Sequence, residues 1–199
     1  MPLRPDQRNL HTRSYASQTT YTHGTCMCTS AAVYWAVACV TDLMKPLCSQ
    51  NDMDTLMRTA ARTHMIVTKH LGKSSSYMLQ QHEMLSIMTL PVHVQGAETF
   101  GYCMHKQNDL KSFLHIDEIF CWLKPGDGMV ITGGRHTTAV HKDHQGHVYA
   151  FDSLPACVTR LSSSDELRTT LLASHANMAQ FTATVFRTDC TRLTRRRGQ

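Results

Sequence analysis

The sequence predicts an α+β domain in which a buried helix near residue 30 packs on an antiparallel sheet flanked by further helices. Three observations carry that expectation. Residues 29–40 (TSAAVYWAVACV) are small and apolar nearly all round, the pattern of a helix enclosed by a core. Helix-like periodicity dominates before Leu90, and short strand-like runs dominate after it. The runs between Gly128 and Phe151 are joined by turns of a few residues, which suit antiparallel neighbours and are too short for parallel crossovers. At 199 residues, 42% hydrophobic and 18% charged, the chain has the size and composition of one ordinary globular unit.

The elements follow in order. After the buried helix, residues 52–70 read as a second one, with Asp52 or Asp54 expected as N-cap and Gly72 just past its end. Ser74, Ser75 and Ser76 are expected to open a third, running to Met88 through Met78, Leu79, Met84 and Leu85. Its methionines read as core packing before they read as a partner surface. Residues 91–95 and 99–105 are expected as short strands, and 114–123 as a helix stopped by Pro125 and Gly126. Three strands, 128–132, 137–142 and 147–151, form a meander across the Gly133-Gly134 and His144-Gln145-Gly146 turns. Ser164 or Asp165 caps a helix to His175, and residues 180–187 alternate as the last strand. The organisation expected is a polar extension over 1–14, a domain over 15–190, and a basic tail or linker start over 191–199.

Composition narrows the chemistry. The net charge of +5 sits largely in Arg192, Arg195, Arg196 and Arg197, so the body is close to neutral and the tail reads as a solvated segment more readily than as a nucleic-acid site. No apolar run reaches the about eighteen residues of a membrane-spanning helix, and the first 14 residues lack the apolar stretch of a secretory signal. The eight cysteines are therefore expected as free thiols in a reducing compartment, and no C-x-x-C pair occurs. His141, His144 and His147 recur every third residue, but in a hairpin they read as exposed loop histidines, and no metal or other cofactor is expected.

Cys28 stands at the threshold of the apolar helix. A thiol there faces unpaired backbone N–H groups and the positive end of the helix dipole, surroundings that favour a nucleophilic thiolate. Such a nucleophile needs a base, and the base needs something to orient it. His136 opens one strand of the meander and Asp152 closes the next, so antiparallel pairing brings imidazole and carboxylate together. Cysteine on a helix start, then histidine and carboxylate on a sheet, is the papain-type order. Gln18, ten residues before Cys28, could donate to an oxyanion.

Two segments add a resemblance. Residues 18–40, with GTCMCTSAAVYWAV at their centre, resemble the N-terminal cysteine motif of the herpesvirus large tegument proteins, in which a glutamine precedes a Gly-x-x-Cys element and a small-residue, aromatic-rich helix. Residues 147–154 (HVYAFDSL) resemble that family's second motif, an apolar strand ending in Phe-Asp-x-His. The resemblance implies a papain-like cysteine protease fold and a deubiquitinase that cleaves ubiquitin from lysine side chains. It implies Cys28 as nucleophile, Asp152 as orienting carboxylate and Gln18 as oxyanion donor. Its partners would be ubiquitin, ubiquitinated proteins and other tegument or capsid proteins, in the virion tegument and the host cytoplasm or nucleus, with no membrane.

Two departures from the family stay open. Its Asp-x-His would put the histidine at 154, where this chain has Leu154; either His136 has that role or the site is dead. The family has one cysteine three residues after the glycine, whereas here Cys26 and Cys28 stand two and four residues after Gly24. The helix register favours Cys28, with Cys26 as the alternative. Glu98, Asp109, Asp117 and Glu118 are candidate acidic walls for the basic, Gly-Gly-ended tail of ubiquitin. Two other readings compete with the enzyme: an inactive ubiquitin-binding adaptor of the same fold, and a basic assembly or nucleic-acid module that uses the arginine tail.

Overall fold

The computed structural model describes residues 12–17, 20–21, 26–80, 83, 102–112, 123–133, 135–154, 156–174 and 180–188. Its axis is helix α1 (Cys28–Val40), buried almost throughout because its side chains are small enough for close approach on every side. Gly128 marks the closest approach: a Cβ there would lie 2.6 Å from Val40 Cγ2 and 3.3 Å from the Ala36 carbonyl oxygen. Two large side chains, Tyr34 and Trp35, are the exceptions on the helix; Trp35 stacks on Phe151 with ring centroids 5.3 Å apart. Helix α2 (Gln50–His70) covers the outer side of α1, and Tyr34 and Thr63 bond across the two through their hydroxyls at 2.8 Å.

Among the described residues seven strands form one wholly antiparallel sheet in the order β1-β6-β5-β4-β3-β7-β2. They are β1 (Thr12–Ser14), β2 (Tyr102–Ser112), β3 (Gly128–Gly133), β4 (His136–Lys142), β5 (Val148–Asp152), β6 (Cys157–Leu161) and β7 (Gln180–Thr188). Both faces are covered. Val130, Ala139, Tyr149, Phe151 and Val158 join the α1 core, while Met129, Ile131, Val140, Val148 and Ala150 join a second core with Leu167 and Leu171 of helix α3 (Ser164–Ser174). Strand alternation sorts one set to each face. Two-sided burial explains why β3 and β5 read as nearly continuous apolar runs, whereas β4, also buried, carries histidines and threonines around Ala139 and Val140.

The mixed helix and antiparallel-sheet class is as expected, and several details are corrected. The cap of α2 is Ser49, not Asp52 or Asp54; Asp52 is instead the reciprocal partner in a capping box, and Asp54 accepts from Tyr21 and Gln50. Residues 74–80 are not helical, so the expected helix does not open at residues 74–76; Glu83 is helical, and the rest of the expected span to Met88 lies outside the described residues. Residues 74–80 form turns and extended chain because the segment is pinned on two sides: the Ser75 carbonyl accepts from His64 Nε2 at 3.0 Å, and the Leu79 carbonyl accepts from Thr29 at 2.7 Å. The expected strand at 99–105 is β2, which continues to Ser112, and the last strand in sequence lies inside the sheet, between β3 and β2. Strand β6 was not expected. Thr12–Ser14, read as part of a polar extension, pairs with it as β1. The expected strand at 91–95, the expected helix up to residue 122, and the arginine tail lie outside the described residues.

Candidate active site

The open end of the meander meets the start of α1. His136 is the first residue of β4 and Asp152 the last of β5. Ala139 pairs with Phe151, so one further step puts Thr138 opposite Asp152 and His136 on its diagonal, on the same face. The diagonal is closed by a hydrogen bond: His136 Nε2 lies 2.8 Å from Asp152 Oδ1, both side chains buried. A carboxylate can only accept, so Nε2 carries a proton in this bond. Cys28, the first residue of α1, is a further neighbour of the ring, near enough for its thiol to act on the imidazole's charge.

Threonines fasten the helix start to the strand start. Thr29 Oγ1 lies 3.0 Å from Thr137 Oγ1, which lies 3.0 Å from Thr132 Oγ1, so the residues after Cys28 and His136 are tied beneath the pair. The Asp152 carboxylate has three donors: His136 Nε2 and the Leu154 N–H (2.9 Å) on Oδ1, and the Ser174 hydroxyl on Oδ2. The Leu154 carbonyl in turn accepts from Ser17 Oγ at 2.9 Å, which ties the chain just before Gln18 to the same turn.

The charges follow from these contacts. Burial opposes a protonated His136, but the hydrogen bond and charge of Asp152, with Cys28 beside the ring, outweigh it and raise the imidazole from 6.5 to about 9. Burial pushes the Asp152 carboxyl up, yet His136, Ser174 and the Leu154 N–H hold it below its ordinary value. The imidazolium that His136 would form on accepting a proton is thus held by Asp152, and the Cys28 thiol beside it is buried.

The structure therefore brings together Cys28, His136 and Asp152. Cys26 precedes the helix and is more exposed. Leu154, at the position of the resembled family's histidine, turns its side chain to solvent (47% exposed) and serves Asp152 through its backbone. Gln18, Glu98, Asp117 and Glu118 lie outside the described residues, and Asp109 lies in β2. The three hairpin histidines do not converge. His141, expected in an exposed loop, is buried on β4 edge-on to Trp35, while His147 bonds to Asp143 and His144 approaches Asp42. Cys26, Cys28, Cys39, Cys48 and Cys157 are free thiols. Ser174, Thr29 and Thr137 escaped the sequence reading, because no local pattern marks a hydroxyl that acts across tertiary space.

The sequence matches no family model, and no curated protein matches it. Among solved structures, the chain superposes on the ubiquitin-specific protease encoded by murine cytomegalovirus tegument protein M48, determined in complex with a ubiquitin-based suicide substrate. The TM-score is 0.65 over 91% of this chain and 88% of that one, at 16% identity. The two chains share a fold. The neighbour is a herpesvirus tegument protease, the kind of protein that the cysteine and Phe-Asp motifs resemble. At this identity the likeness is one of architecture, and it extends over nearly the whole of both chains.

Proposed function

We propose that this chain is a papain-like cysteine isopeptidase that removes ubiquitin from protein lysines, as a deubiquitinase of a viral tegument protein. The observation that carries the reading is the meeting of Cys28, His136 and Asp152 at the start of α1 and the end of the β4–β5 pair, in a fold shared with a ubiquitin-specific protease.

In this mechanism His136 Nδ1 takes the Cys28 proton, and the imidazolium that forms is stabilised by Asp152. The thiolate attacks the carbonyl carbon between the C-terminal glycine of ubiquitin and a lysine Nζ. Gln18 and the Cys28 backbone N–H stabilise the tetrahedral oxyanion. As the C–N bond breaks, His136 returns its proton to the departing lysine amine, leaving a thioester on Cys28. A water deprotonated by His136 then attacks the thioester, releasing the ubiquitin carboxylate and restoring the thiol. No metal or cofactor takes part in this scheme.

Leu154 favours a second reading, an inactive ubiquitin-binding adaptor, because the family's histidine is absent there. One experiment separates the two: intact mass after incubation with ubiquitin carrying a C-terminal electrophile, in reducing buffer. The enzyme reading expects a covalent adduct on wild type and on Cys26→Ala, loss of it on Cys28→Ala, and slower formation on His136→Ala. Loss on Cys26→Ala alone would move the nucleophile. Reversible binding without an adduct would establish the adaptor.

A further inference from the structure

Asp152 draws support from the face of the sheet that packs on α3. Its position in β5 is of the same parity as Val148 and Ala150, which pack into the α3 core, so its carboxylate emerges on that side. There α3 ends at Ser174, whose hydroxyl donates to Asp152 Oδ2. The helix is seated by Leu167 and Leu171, both fully buried, so the hydroxyl is delivered by a packed element and not by a loose loop. Oδ1 meanwhile accepts from His136 Nε2 and the Leu154 N–H. With donors on both oxygens, the carboxylate plane cannot rotate without breaking a bond to a charged acceptor.

We propose that Ser174 is a positioning residue of the active site, acting through Asp152 to set the orientation and protonation of His136. The inference rests on the mechanism above for its effect on rate, but not for its effect on His136. The groups packed around the carboxylate are His136 from β4, Cys28 beyond it on α1, Cys157 on β6, the Leu154 backbone and Ser174 itself. Removing the Ser174 hydroxyl leaves a buried carboxylate with one donor fewer, so the anion that holds the imidazolium is less stable and less fixed.

The test pairs two readouts on Ser174→Ala, Ser174→Thr, Asp152→Asn and Ser174→Ala/Asp152→Asn, each first shown to unfold cooperatively. The first readout is the His136 ring titration followed by NMR, which needs no turnover. The second is the rate of adduct formation with the electrophilic ubiquitin. Ser174→Ala should lower the His136 midpoint from about 9 and slow the adduct on the order of tenfold, the worth of one hydrogen bond to a charged group. Ser174→Thr, which keeps the hydroxyl, should recover both, and the alanine should add nothing in the Asp152→Asn background. An unchanged midpoint in folded Ser174→Ala would overturn the proposal, as would a drop of equal size in Ser174→Thr. A lowered midpoint in a protein that never forms an adduct would leave Ser174 as positioning residue and remove the isopeptidase reading.

Discussion

His136 concentrates the chemistry because two opposed demands meet on one ring. Burial would strip its charge, and Asp152 with Cys28 restores it, raising the imidazole from 6.5 to about 9. A group raised on folding stabilises the fold fully below its unfolded value, and that contribution is lost as pH climbs through the folded one. The same sign governs reactivity if thiolate and imidazolium act as a pair. Adduct formation with electrophilic ubiquitin should therefore fall as pH rises through about 9, and Asp152→Asn should shift that alkaline limb to lower pH. A stopped-time series across pH 6.5 to 10 checks both; a limb indifferent to Asp152 would detach the carboxylate from the chemistry. Asp152 carries the opposite sign. Its depressed carboxyl contributes stability above the ordinary carboxylate range that is lost on acidification.

Among the elements, α1 sets the geometry, since Cys28 can meet His136 only if the helix lies close on the sheet. Gly128 makes that approach possible. Gly128→Ala would force its Cβ to 2.6 Å from Val40 Cγ2, an overpacking expected to cost about 1–3 kcal/mol in urea unfolding. Val40→Ala in the same chain should recover part of the loss, because the clash is with that side chain. At α2 the capping box is separable from the site: Ser49→Ala should cost about 1 kcal/mol of stability and leave the adduct rate at the wild-type value. Helix α1 was legible from sequence because its composition is uniform along 13 residues. The cap of α2 was misplaced because Ser49 and Asp52 share one motif, and the sequence does not say which of the two is outside the helix. The chain at 74–80 carried helix-like spacing, yet its carbonyls are consumed by His64 and Thr29, a tertiary claim that outranks local propensity.

Across the whole molecule, the layers α2, α1, sheet and α3 give the site two separate supports. The α1 side delivers the thiol, and the α3 side holds the carboxylate. Cavities of similar chemistry should thus differ in effect. Leu171→Ala in α3 and Met57→Ala in α2 remove side chains that are each 1% exposed, and each should cost about 2–5 kcal/mol. Under conditions where both variants remain folded, only Leu171→Ala should slow the adduct, because α3 carries the Ser174 donor to Asp152 and α2 lies on the other side of α1. Equal slowing in the two would mean that global stability, not the α3 contact, governs the rate.

By itself the sequence determined the α+β class, the buried helix, the meander and the strand ends that put His136 beside Asp152. These were legible because each rests on local order: an all-round apolar run, short turns, and strand ends that antiparallel pairing must bring side by side. Only the tertiary structure decided the rest. The pairing of β1 with β6 and the insertion of β7 between β3 and β2 join segments far apart in the chain, and no local pattern encodes the choice of neighbour. The same holds for the Ser174 hydroxyl, 22 residues from the carboxylate it meets, and for the Leu154 backbone, which supplies a donor whatever side chain it bears. Periodicity records which residues must leave water; which buried groups then touch is settled by how the layers pack.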